Sequence, residues 1–209
     1  GGAGEGGERG AEEGPVRYRR GADTKDGARG ACGCETEPVS KNAECQAFAK
    51  KVIETVDVEG IDAVANLETE RTELSAKLGE NIALAGAARF EAVNGAIVTA
   101  YAHPPANKLG VLLQLRGGDA DLGRKIAMHI AASNPQWIGR DDVPQEAVVS
   151  EREIYLNSDE VQSKPEQARE TIVEGMLNQR FFAERGGVLA EQPGIHDASR
   201  WGGKAVADA

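Results

Sequence analysis

Cysteine is scarce and odd in number: three residues, Cys32, Cys34 and Cys45, cannot make a disulfide framework. A chain of 209 residues does not need one, being well beyond the roughly 40 to 60 residues at which a core is hard to bury. No apolar run approaches the roughly 18 residues of a membrane span, and the first residues carry no apolar stretch of the secretion-signal kind. Basic charge is in deficit. Lys and Arg number 24 against 34 Asp and Glu, a net charge of −10, which argues against direct nucleic-acid binding because phosphate affinity comes largely from Lys and Arg. Aromatic residues make up only 4% beside 40% hydrophobic residues, the balance of one or two soluble domains and not of a fibre. The expectation is a soluble protein of a reducing compartment, with neither membrane nor nucleic acid as a direct partner.

What is present is unevenly placed. Residues 1–33 hold 11 of the 26 glycines together with six basic and six acidic residues. Their few large apolar side chains, Val16 and Tyr18 chief among them, follow no period of 2 or 3.6, so this segment is expected to be mostly disordered. From Cys34 onward helical periodicity begins. Phe48, Val52, Ile53 and Val56 share one helical face, and Leu67, Leu74 and Leu78 continue on a second helix over residues 61–77 that stops near Gly79. Between Phe90 and Arg116 the period changes to two: Ile97, Thr99, Tyr101 and His103 on one strand and Val111, Leu113 and Leu115 on the next, with Asn94-Gly95 as a hairpin turn, predict an antiparallel meander. Asp119 and Asp121 open a helix through Leu122, Ile126 and Ile130 that Pro135 ends. Residues 143–182 read as two antiparallel helices broken at Ser163-Lys164-Pro165, with an exposed apolar stripe suited to an interaction arm. Val188, Leu189 and Ala190 read as a returning strand.

Residue chemistry points away from catalysis. Cys32 and Cys34 are expected to point apart on an extended segment and no second Cys-x-x-Cys exists, so the three cysteines read as free thiols and no metal site is assigned. His129, inside an apolar helical run, reads as a histidine at the core margin. His103 ends a strand beside Pro104-Pro105 and reads equally as a contact residue or a strand-end filler. No nucleophile, base and orienting group can be assembled, no phosphate loop is present, and no cofactor is expected.

Three ordered segments carry a resemblance. The first is Cys34-Glu35-Thr36-Glu37-Pro38-Val39 with the polar residues after it. The second comprises Lys77-Leu78-Gly79-Glu80-Asn81-Ile82, Tyr101-Ala102-His103, Gly110-Val111-Leu112 and the helix running into Asn134-Pro135. The third runs from Asp142-Val143-Pro144 through Lys164-Pro165-Glu166 and Ile172-Val173-Glu174-Gly175 to Glu191-Gln192-Pro193. Together they resemble bacterial elongation factor Ts, the guanine-nucleotide exchange factor for elongation factor Tu, over roughly residues 34–193. The resemblance implies an α+β fold: two small antiparallel-sheet and helix subdomains, 34–93 and 94–209, with a helical hairpin inserted at about 143–183. It implies elongation factor Tu as partner, in the bacterial cytoplasm or alternatively an organellar stroma or matrix, with a homodimer or 2:2 complex as the assembly. In the family the signature Phe wedges into the partner near its Mg²⁺ site, while an Ile/Leu-Gly pair and a strand-end His contact a helix of the partner. Those contacts fall here on Thr36, Glu37, Pro38 and Val39, on Leu78 with Gly79, and on His103. The apolar face of the hairpin falls on Ile172, Met176 and Phe181.

The sequence also departs from the pattern. Pro38 stands where the wedge Phe is usual and Glu37 where Asp is; loss of one buried aromatic removes about 1.5 to 3 kcal/mol, roughly 10- to 100-fold in affinity. Ala85-Gly86 replaces a basic pair, and Gly194 an aromatic residue. The family's N-terminal helical module has no counterpart before Cys34, and its last strand none at the other end. The chain is therefore read as a fragmentary or degenerate member, with residues 1–33 a candidate frame error. The competing reading is a structural or dimerisation module of the same fold that has no exchange activity.

Overall fold

Small side chains set the first layer of the structure. In the computed structural model, which describes residues 16–20, 26–104, 109–194 and 205–208, strand β2 (Asp26–Gly33) lies against a long helix with Ala28, Gly30 and Cys32 at the contact. A Cβ on Gly30 would stand 3.0 Å from Val52 Cγ1, so glycine is what permits the approach. β2 pairs antiparallel with β1 (Val16–Arg20) on one side and β3 (Ala83–Glu91) on the other, with a bulge between Ala31 and Cys32. Two strands thus fall in a segment expected to be disordered. In β2 glycine and alanine gave no apolar alternation to read, in β1 only Val16 and Tyr18 alternate with arginine, and the order comes from pairing on both sides of β2. Residues 1–15 and 21–25 of that segment lie outside the described residues.

The first helices follow their periodicity. A single turn, α1 (Glu37–Ser40), leads into α2 (Ala43–Glu59), whose N-cap Asn42 accepts from the Glu44 amide at 2.8 Å and whose end is Gly60 at φ +96°. Phe48, Val52, Ile53 and Val56 are all buried, as their shared face predicts. The next helical stretch begins as a 3₁₀ segment (Ile61–Leu67) and continues as α3 (Glu68–Leu78), stopped by Gly79 in the left-handed conformation.

All three cysteines meet in one core cluster with Phe48, Leu74 and Ile82. The expectation that Cys32 and Cys34 diverge is corrected, because residues two apart on a strand share a face. A side-chain hydrogen bond with Cys45 raises the Cys32 thiol above its ordinary range, and burial raises it further. Among the described residues no group of His, Cys, Asp or Glu is arranged to hold a metal ion.

Strands β4 (Ile97–Ala102) and β5 (Gly110–Leu115) pair antiparallel as expected, with Ile97 opposite Leu115 and Tyr101 opposite Val111. The turn before them has Asn94 and Gly95 at φ 53° and 77°, closed by Ala96 N–H to the Val93 carbonyl at 3.1 Å. It does not join a hairpin: β3 belongs to the β2 ladder, so the meander is two separate ladders, with β4 running beside β1 and β2. Helix α4 (Ala120–Ser133) is capped by Asp119, which accepts from Leu122 N–H at 2.8 Å, and His129 on it is fully buried.

The chain divides between Ala131 and Ala132 into two units, so the boundary placed at 93/94 from sequence falls inside the first. In the second unit the helical segment is shorter and more broken than expected: α5 (Gln145–Leu156), a turn α6 (Asp159–Gln162) capped by Ser158, α7 (Glu166–Met176), and a π-helical turn over Leu177–Phe182. The stripe expected to be exposed is covered. Val173, Met176, Leu177 and Phe182 are buried with Val161 and Val188, and Ile172 and Phe181 pack against them beside Trp137. The returning strand is also corrected: Val188 makes one parallel bridge to Trp137, after which Leu189–Glu191 turns as a 3₁₀ helix. Among the described residues no helix is long and apolar enough to cross a membrane.

Two glycines of this unit should respond oppositely to alanine. A Cβ on Gly187 would lie 2.3 Å from the Phe182 carbonyl oxygen and 2.5 Å from that of Phe181, whereas exposed Gly175 in α7 has nothing within 4 Å. In urea unfolding, Gly187→Ala is expected to destabilise by about 1 to 3 kcal/mol, and Gly175→Ala to stabilise by up to about 1 kcal/mol through helix propensity.

Candidate functional site

The chain leaves the sheet at Cys34 and turns at once into the signature. Thr36 is the N-cap of α1, with Glu37, Pro38 and Val39 as its first three helical residues. Proline is at ease there, since a first-turn amide has no intrahelical partner to lose. Thr36, Glu37 and Pro38 are exposed, Val39 is half-buried against the thiol cluster, and Ser40 is buried. Ser40 Oγ donates to the Glu37 carbonyl at 2.6 Å, Ser40 N–H to that of Thr36 at 3.2 Å, and Cys34 Sγ to that of Thr36 at 3.2 Å. The turn is exposed at its tip and anchored at both ends.

A second turn lies directly against it. Glu80, next to Gly79, accepts from both the Thr36 amide (3.1 Å) and the Thr36 hydroxyl (2.5 Å), while Glu35 accepts from the Asn81 amide at 2.9 Å. The backbone around Glu80 is braced from α3. Gly79 N–H donates to the Ser75 carbonyl (2.9 Å), Ile82 N–H to Ser75 Oγ (3.0 Å), and Arg71 to the Ile82 carbonyl (2.5 Å). Arg71 also grips Glu68, and that hydrogen-bonded pairing holds the Glu68 carboxylate below its ordinary range and raises the guanidinium. The structure therefore brings Thr36, Glu37, Pro38 and Val39 together with Leu78 and Gly79. Leu78 is half-buried on the same cluster as Val39, and Gly79 is exposed.

His103 belongs to neither turn. It is exposed at the end of β4, its amide donating to the Leu109 carbonyl at 2.9 Å and its Nδ1 hydrogen-bonded to the Tyr101 hydroxyl at 3.0 Å. With Nδ1 engaged, contact with a partner would run through Nε2. Ile172, Met176 and Phe181 lie in the second unit's core rather than on a free face. Sequence reading missed Glu35, Glu80, Ser75 and Arg71 as members of the site; Glu35 and Glu80 sit within the quoted motifs, but their partners are 46 and 44 residues away, beyond any local period.

A groove of about 420 Å³ between α2 and α3 lies near these turns in sequence, with Ala47, Phe48 and Leu74 lining it. Its rims are bridged by Lys77 to Glu44 (2.6 Å) and Lys51 to Glu70. The two ion pairs leave Glu73 as the remaining charged side chain of the lining.

The fold is α+β, and the paired turns are exposed and braced by hydrogen bonds from each other and from α3. The family model described as Elongation factor TS matches residues 35–209. Similar proteins named Elongation factor Ts include that of Stutzerimonas stutzeri (strain A1501), 40% identical over 154 residues, covering 73% of this chain and 49% of the relative. That of Azotobacter vinelandii (strain DJ / ATCC BAA-1303) is 36% identical over 193 residues, covering 90% and 64%. That of Mycobacterium bovis (strain BCG / Pasteur 1173P2) is 39% identical over 189 residues, covering 83% and 66%. The chain belongs to the elongation factor Ts family. It spans about half to two thirds of the length of these relatives.

Removing the Tyr101 hydroxyl should release the His103 ring without disturbing the ladder beneath it. In Tyr101→Phe, the His103 side-chain nitrogen resonances are expected to move towards those of a solvent-exposed histidine, while the amide protection of β4 and β5 is retained.

Proposed function

We propose that this chain acts as a guanine-nucleotide exchange factor: it binds elongation factor Tu in its GDP-bound form and promotes GDP release during translation elongation in the cytoplasm. Family membership supports this reading. The single structural observation that carries it is the joining of Thr36–Val39 with Leu78-Gly79, two segments far apart in sequence that the family's contact pattern requires on one surface. No bond is made or broken by the chain. Its action is negative coupling, in which the factor lowers the affinity for nucleotide and nucleotide lowers the affinity for the factor by the same ratio. Thr36, Glu37 and Pro38 would meet the partner's nucleotide domain near its Mg²⁺ site, and Leu78, Gly79 and His103 would meet a helix of that domain. The structural or dimerisation alternative rested on an exposed hairpin stripe, and Met176 and its neighbours are spent inside the second unit. Those residues would serve the arm by stiffening it.

The test is release of a fluorescent GDP analogue from purified elongation factor Tu over a concentration series of this chain. Saturable acceleration is expected; none, from a sample shown to be folded by circular dichroism, would overturn the proposal. Pro38 is exposed in a first helical turn, so an aromatic side chain can be carried there without repacking. The double change Glu37→Asp with Pro38→Phe is expected to raise exchange efficiency by roughly tenfold or more, the affinity gain of burying one aromatic side chain.

A further inference from the structure

The geometry points to Glu80 as a positioning residue that, with Glu35, locks the signature turn to the Leu78-Gly79 turn so that the two meet a partner as one rigid element. This rests on the functional reading above. A helix opened by Thr is ordinarily completed by an acidic or amide side chain three residues on, which reaches back to the N-cap amide. Here that third residue is Val39, and Pro38 before it has no amide for the Thr36 hydroxyl to cap. The Thr36 side chain makes no cap bond within α1, and its hydroxyl and amide both donate outward. Glu80 supplies the acceptor for both from 44 residues away. Glu35 returns the contact to Asn81, so two carboxylates cross between the turns in opposite directions. Bonds of an amide to an ionised carboxylate are among the stronger hydrogen bonds, and these join groups at the surface whose other supports, Val39 and Leu78, are only half-buried.

Three variants test this. Glu80→Ala is expected to lower nucleotide-release efficiency roughly tenfold and to speed amide hydrogen exchange at Thr36 by roughly tenfold to a hundredfold, the effect of losing a bond to a charged acceptor. Glu80→Gln keeps an oxygen for the Thr36 amide and is expected to restore most of both. In the cycle with Thr36→Val, the Glu80→Ala loss is expected to shrink once the hydroxyl is gone, because part of it was spent on that partner. The loss should appear in the half-saturating concentration of the factor more than in the saturated release rate, since a loosened surface binds less well before it acts. Unchanged release by Glu80→Ala, or reduced release with unchanged Thr36 protection, would overturn the proposal. So would full additivity in the cycle. Wild-type chain that fails to release nucleotide overturns the functional reading instead, while Thr36 protection in the free chain still reports on the lock.

Discussion

Everything in the first unit depends on how closely β2 can lie on α2. A strand with larger residues in place of Ala28 and Gly30 would stand farther off and leave the helix face of Phe48, Val52, Ile53 and Val56 without a floor. Because the contact is close, the same strand carries Cys32 and Cys34 into the interior, and Cys34 is the last buried residue before the chain surfaces at Thr36. The position of the signature is thus inherited from backbone packing. Its two lateral supports, Val39 and Leu78, rest on that same interior.

Elements with a strong local period were legible in the sequence. The α2 face, the Gly79 stop, the β4 and β5 alternation and the Asp119 cap each follow from a spacing or a single capping residue. β1, β2 and β3 were not legible: Gly and Ala dominate β2 and β3 and carry almost no apolar signal, β1 offers only Val16 and Tyr18, and the order comes from partners distant in sequence. The hairpin stripe was correctly periodic yet wrongly placed at the surface: periodicity says that a face is apolar, not what covers it, and here Val161, Trp137 and Val188 do. The site was legible only through the resemblance, which named both turns but gave no hint that Glu80 ties them.

In the second unit the helices are held differently. Arg140 bonds to Glu191 and, at 2.9 Å, to Asn178, and its guanidinium lies 4.1 Å from the centre of the Phe182 ring. Gln192, fully buried, accepts from Ser133 Oγ and donates to the Glu184 carbonyl, each at 2.8 Å. The Arg140 contacts to Asn178 and Phe182 fall on the π-helical turn, where the helix departs from regular α geometry. Arg152 to Glu170 and Arg180 to Glu160 are exposed pairs, worth little in salt, so the stiffness of these helices comes from their apolar interior.

The placement of the thiols gives the molecule a built-in clock. Every cysteine of the chain is buried, and all three sit in the first unit around the floor of the signature turn. A thiol reagent therefore has nothing to attack until that interior opens, and the rate at which it reacts measures how often the floor is breached. The second unit, with no cysteine, is silent in the same measurement, so the breathing of one half of the chain can be timed while the other contributes no signal.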